Sequence, residues 1–178
     1  MPRLNKVCLG QTENYRDDSV SARERFFKKV QHNSASVSPG KNSVEAEVRV
    51  FCSRMNDLAR QLSQWFSGST IEVTFSTKHI HDLSTVGYSL SSGICRYDIT
   101  TIRLQNGDRS VTILPEQLCH STETGLVTMR VEAYGITQVF YLSMAPDTGW
   151  FIRREHQSAK DNVIMTEEHF FEAVDRLA

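Results

Sequence analysis

The chain has 178 residues, enough for one domain with an appendage. At that length a globular fold buries about 70% of its unfolded surface and needs neither disulfide nor metal. Its 39% apolar and 23% charged residues exclude a wholly disordered chain, and its net charge of −1 excludes a strong overall pull on nucleic acid or anionic membrane.

The charge is unevenly placed. Residues 1–41 carry +4, whereas 42–178 carry −5. This marks a basic N-terminal arm, partly disordered, ahead of a single domain over 42–178. Ser19 caps a short helix over 19–31, with Val20, Phe26, Phe27 and Val30 as a weak apolar face. Arg23, Arg25, Lys28 and Lys29 occupy much of its remaining surface. Residues 32–42 are Ser-rich, contain Pro39-Gly40, and read as a linker.

The strongest periodicity follows. Val44, Val48, Phe51, Met55, Leu58, Leu62 and Trp65 recur at alternating intervals of 4 and 3. That spacing predicts a long amphipathic helix over 43–67. Asn42 and Glu45 resemble a capping box, and Gly68 is placed to end the helix. A coiled-coil seam shares this spacing, but the strands that follow favour packing on a sheet.

After Gly68 the period becomes 2. Ile71, Val73 and Phe75 alternate with Glu72, Thr74 and Ser76 as a half-buried strand. Residues 78–92 read mostly as loop. Two β-rich runs, 96–104 and 109–114, flank Asn106-Gly107, the clearest hairpin signal, and Pro115 is expected to end the second. Residues 125–133 and 136–144 form two more strands around Tyr134-Gly135. A turn at 145–149 leads to a last strand at 150–152. Thr166 with Glu167 and Glu168 starts a C-terminal helix with an apolar face of Phe170, Phe171, Val174 and Leu177. The predicted class is α+β: a long helix on an antiparallel, mostly meander sheet of about six strands, with a C-terminal helix and a short basic N-terminal helix.

His79-Ile80-His81-Asp82 is the most site-like cluster. On a strand both imidazoles would share a face, about 7 Å apart. With Asp82, and Cys95 or Cys119-His120, they offer zinc-type donors. The spacing is not that of a recognisable metal motif, and an exposed polar segment is the simpler reading, so no cofactor is expected. Cys8, Cys52, Cys95 and Cys119 form no CxxC pair and read as free thiols. No nucleophile elbow or phosphate-cradling glycine motif is present. The acids Asp98, Asp108, Glu116, Glu123 and Glu132 alternate with apolar residues and are expected on the solvent face. Trp65, Phe66, Phe140, Tyr141, Trp150 and Phe151 are expected as core filling rather than a ligand pocket.

The functional expectation is a non-enzymatic protein-interaction module of accessory, inhibitor, immunity, adaptor or effector type. Its partner is another protein, met through Arg23, Arg25, Phe26, Phe27, Lys28 and Lys29. One alternative is a metal-assisted hydrolase or nuclease using His79, His81 and Asp82. Another is a nucleic-acid or anionic-surface binder acting through the basic arm, which is less favoured. No apolar run approaches the ~20 residues that span a bilayer, and residues 1–10 lack the apolar stretch of a secretory signal. A cytoplasmic monomer or homodimer is expected.

Overall fold

The computed structural model describes residues 39–84 and 95–178. The expected basic helix over 19–31, with its proposed partner-binding residues Arg23 to Lys29, lies outside the described residues. Residues 38–178 form one compact unit.

Helix α1 spans Pro39–Trp65. It begins earlier than the expected 43, so Asn42 lies inside the helix and is not its cap. Proline is well suited to a first helical turn, where its missing N–H has no intrahelical acceptor to serve. At the other end Gly68 takes φ +82°, the left-handed conformation expected after the last turn. The predicted stripe is the buried one. Phe51, Met55 and Leu62 are fully buried and Leu58 nearly so, while Val44, Val48 and Trp65 pack at its margins. The helix lies on a sheet rather than in a coiled coil.

Among the described residues the sheet has seven antiparallel strands in sequential order: β1 Glu72–Asp82, β2 Cys95–Asn106, β3 Arg109–His120, β4 Glu123–Ala133, β5 Ile136–Met144, β6 Trp150–Arg154 and β7 Val163–Ile164. The fold is therefore α+β with a meander sheet, completed by helix α2 over Glu167–Ala173. Thr166 caps α2 by accepting the His169 amide. Phe170 of α2 is fully buried, 5.5 Å from Trp65 and 6.2 Å from Phe66 between ring centres, and so closes the C-terminal end of α1. No helix among the described residues is long and apolar enough to cross a membrane.

Alternation sets the inner face. Leu104, Val111 and Val131 align across β2, β3 and β4, as do Ile102, Ile113 and Met129, and all six are buried. Val127, Leu142 and Ile152 continue the face into β5 and β6.

Two strand expectations are also corrected. Residues 78–82 are not loop but the end of β1, in unbroken register with β2 from Glu72–Gln105 to Asp82–Cys95. Pro115 does not end its strand. It pairs with Val127, the register shifts between Pro115 and Gln117, and β3 continues to His120. The reason is that β2 pairs with β3 only over 102–106, so Pro115 stands where the neighbouring strand has departed. Its carbonyl points into the vacated side, where it accepts Lys78 Nζ at 2.8 Å. A missing N–H forfeits no ladder bond there.

The β1–β2 ribbon also turns over along its length. Near the sheet it buries Ile102 and Leu104, while at its far end it buries Ile80, Tyr97 and Ile99, which have the opposite parity on an unbroken ladder. Strong right-handed twist, greatest in two-stranded ribbons, accounts for the change. Small Thr and Ser residues (Ser76, Thr77, Thr100 and Thr101) occupy the crossover.

Candidate functional site

Alternation on β1 separates the three metal candidates. His79 and His81 lie on the exposed face with ring centres 5.1 Å apart. His79 Nδ1 meets Asp98 Oδ1 on β2. Asp82 has the other parity and is 1% exposed. Its Oδ2 accepts the Tyr97 hydroxyl at 2.7 Å and the Leu118 amide at 2.6 Å. Its Oδ1 accepts the Ser84 amide at 2.9 Å and the Ser84 hydroxyl. The three residues thus do not converge. Among the described residues no group of three or more His, Cys, Asp or Glu could hold a metal ion.

Asp82 instead belongs to a side-chain closure. Where β2 leaves β3, Lys78, Asp82 and Ser84 bind the Pro115 carbonyl, the Leu118 amide and, at 3.1 Å, the Cys119 amide. Side chains thereby replace the backbone ladder that β3 lost. Burial, then the hydrogen bond to Asp82, holds the Tyr97 phenol well above its ordinary value.

Cys52, Cys95 and Cys119 are each partly buried. Burial raises Cys52 and Cys95, with Asp98 adding to the first and Asp82 to the second, so both stay protonated near neutral pH. His120 pairs with Gln117 at 2.7 Å.

A second polar cluster was invisible in the sequence. Glu123, expected on the solvent face, is 8% exposed, a correction to that reading. Gly125, two residues on, takes a left-handed φ of +66° within the same strand. Glu123 accepts Arg153 Nη2 at 2.8 Å, Asn162 Nδ2 at 3.0 Å and Ser143 Oγ at 3.3 Å. The Arg153 bond dominates over burial and holds the carboxyl below its usual range. Arg153 also stacks 4.7 Å over Tyr141. The remaining acids, Asp98, Glu116 and Glu132 on strands and Asp108 in the β2–β3 turn, are exposed as expected. A cleft of about 500 Å³ lies beside Glu123, walled by Val50, Arg54, Met144 and Phe151. Arg54 spans from α1 to the β5–β6 turn, donating to the carbonyls of Ala145 at 2.7 Å, Asp147 at 2.6 Å and Gly149 at 2.9 Å. These groups are already engaged in holding elements together. A carboxylate so fully solvated by donors is a poor general base.

Of the aromatic residues expected in the core, Phe66, Phe140 and Trp150 are buried, and Trp65, Tyr141 and Phe151 are partly so.

Among the described residues the two sheet edges differ. One is β7, of two residues, whereas the other is β1, of eleven. The far half of β1 is tied to β3 by Lys78 and Asp82. The near half, 72–77, has no strand on its outer side among the described residues. Thr74, Phe75, Ser76 and Thr77 are exposed, and Phe75 retains 48% of its surface. The Ser76 carbonyl faces β2, where it accepts the Thr101 hydroxyl. Strand alternation therefore turns the N–H and C=O of Val73, Phe75 and Thr77 outward. A groove of about 490 Å³ runs beside Phe75, lined by Asn56, Ala59, Arg60, Ser63 and Thr100.

Comparison with protein-family models, with curated proteins and with solved structures finds no match to this chain.

Proposed function

We propose that the chain is a protein-interaction module that recognises a partner by adding one of its strands to the outer edge of β1. The observation that carries this reading is the eleven-residue edge strand whose near half presents outward backbone groups beside a half-exposed Phe75. Edge strands invite pairing, and proteins usually shorten or cover them, as β7 is shortened here. Main-chain hydrogen bonds would supply affinity, and the groove beside Phe75 would select a side chain of the added strand. The basic, Phe-bearing segment Arg23–Lys29 supports an interaction role from sequence alone.

A photo-crosslinking amino acid at Phe75 in the native cell tests the reading. A defined protein adduct is expected, reduced by Thr77→Pro, which deletes an outward N–H while leaving the β2 ladder intact. The same probe at Tyr134, an exposed residue of the β4–β5 turn, is the control. Equal adducts from both sites, or none from Phe75, would exclude strand addition.

A further inference from the structure

We infer that the strand added to β1 is β1 of a second copy of this chain, paired antiparallel about a two-fold axis at Phe75. The inference rests on the edge reading above and names its partner. Reading Glu72-Val-Thr-Phe75-Ser-Thr-Lys78 against itself about Phe75 places Glu72 opposite Lys78, Val73 opposite Thr77, and Phe75 opposite itself. A two-fold contact requires such self-complementarity, because each residue must suit its own reflection. The only charges in this stretch, one acid and one base, fall opposite each other.

The hydrogen-bond parity agrees independently. In antiparallel pairing, residues directly opposite exchange bonds only if their backbone groups point across the gap. Val73, Phe75 and Thr77 are the outward-pointing residues, as the Ser76–Thr101 bond establishes. An axis at Phe75 pairs outward residues only with outward residues: Phe75 with Phe75, and Val73 with Thr77. Shifting the pairing by one residue would place an outward group against an inward one.

Side chains fit the same register. Val73 and Phe75 share a face with Leu104 and Ile102, the face towards α1. The second copy's Phe75 would lie beside its symmetry mate at the mouth of the groove lined by Ala59 and Ser63. On the opposite face Glu72 would reach the second copy's Lys78. That amino group already carries Glu116 at 3.3 Å and the Pro115 carbonyl, so the pair would join an existing network. The contact is a single short strand, smaller than the roughly 1,200–2,000 Å² of a stable interface, so the association is reversible and concentration-dependent.

The test uses the full 178-residue chain in sedimentation velocity across a wide concentration range. The expected result is a shift from a 20.3 kDa species towards twice that mass. Phe75→Lys and Thr77→Pro should abolish the shift, and Glu72→Lys should weaken it by setting like charges opposite. Circular dichroism checks that each variant folds. A mixed sample of isotope-labelled and unlabelled wild-type protein gives a readout needing no variant. It should show an intermolecular contact between the Hα of Thr74 and the Hα of Ser76, the close non-bonded pair of this register. A monomer at every concentration, a dimer indifferent to all three substitutions, or contacts in another register would overturn the inference. A monomer whose Phe75 crosslinks to a different protein in cells would reject self-pairing while leaving strand addition standing. A monomer at every concentration together with no Phe75 adduct in cells would remove both.

Discussion

The Asp82 carboxylate and the Leu118 amide meet at 2.6 Å although 36 residues separate them, joining the far end of the β1–β2 ribbon to the continued half of β3. Asp82→Ala would strand the Leu118 N–H and the Tyr97 hydroxyl in the interior, at a cost of about 2–5 kcal/mol. Tyr97→Phe removes one bond and leaves the carboxylate its other donors, so about 1 kcal/mol is expected. Urea unfolding midpoints measure both, and equal losses would contradict the shared-acceptor arrangement. The same assay tests the metal alternative. Zinc that raised the wild-type midpoint, with the rise lost in His79→Ala, would restore a metal role for this region.

Glu123 makes stability depend on acid. Its folded pKa lies below the unfolded value of about 4.3. Its contribution is therefore fully present above the unfolded value and is lost as pH falls through the folded one. Glu123→Gln should flatten that part of the stability–pH curve, so that wild type and variant converge in acid. At neutral pH the variant leaves the largely buried Arg153 side chain without its counter-charge, a loss of about 1–3 kcal/mol. Parallel curves from pH 7 to pH 3 would show that Glu123 contributes no such linkage.

Gly125 admits no side chain. At φ +66° an added Cβ would stand 2.7 Å from Met144 Cγ and 3.0 Å from Phe51 Cδ2. Met144 is flexible and can yield. Phe51 is held between Tyr97 and Trp150, each 6.4 Å away between ring centres. Left-handed strain and overpacking together make Gly125→Ala cost about 2–4 kcal/mol. Gly107→Ala is the comparison, since that site shares a positive φ but has open space around it. Its thermal midpoint should fall less.

Leu58 and Leu62 sit at the centre of the α1–sheet contact, 1% and 0% exposed. Truncation of either to Ala is expected to cost about 2–5 kcal/mol. Val50, on the same helix but 46% exposed, should tolerate Ala within about 0.5 kcal/mol. Equal effects at Leu62 and Val50 in chemical denaturation would refute the assignment of the buried stripe.

The parts of the fold legible in the sequence were those written by local periodicity. The stripe from Val44 to Trp65 announced α1, and alternation announced β1 and β4. What was hidden depended on partners distant in the chain. Residues 78–82 look like loop because Lys78, His79, His81 and Asp82 are polar, yet β2 supplies a full ladder for them. Pro115 looks like a strand end because its tolerance depends on β2 having turned away, which no nearby residue signals. Glu123 resembles any exposed strand acid, and its burial follows from Arg153 and Asn162, 30 and 39 positions on. The His79–Asp82 cluster was visible as composition, but strand parity places its imidazoles and its carboxylate on opposite sides. The β1 edge could be read only once strand order was known.

Sequential strand order also has a temporal consequence. During synthesis α1 emerges before any strand that will cover it. At about 5–20 residues per second, the 89 positions from Trp65 to Arg154 occupy roughly 4–18 s. For that interval Phe51, Met55, Leu58 and Leu62 form a greasy, uncovered ridge on the nascent chain. Each new hairpin shelters more of it, so ribosome-stalled chains ending before β3 should be the most chaperone-dependent and the most easily proteolysed.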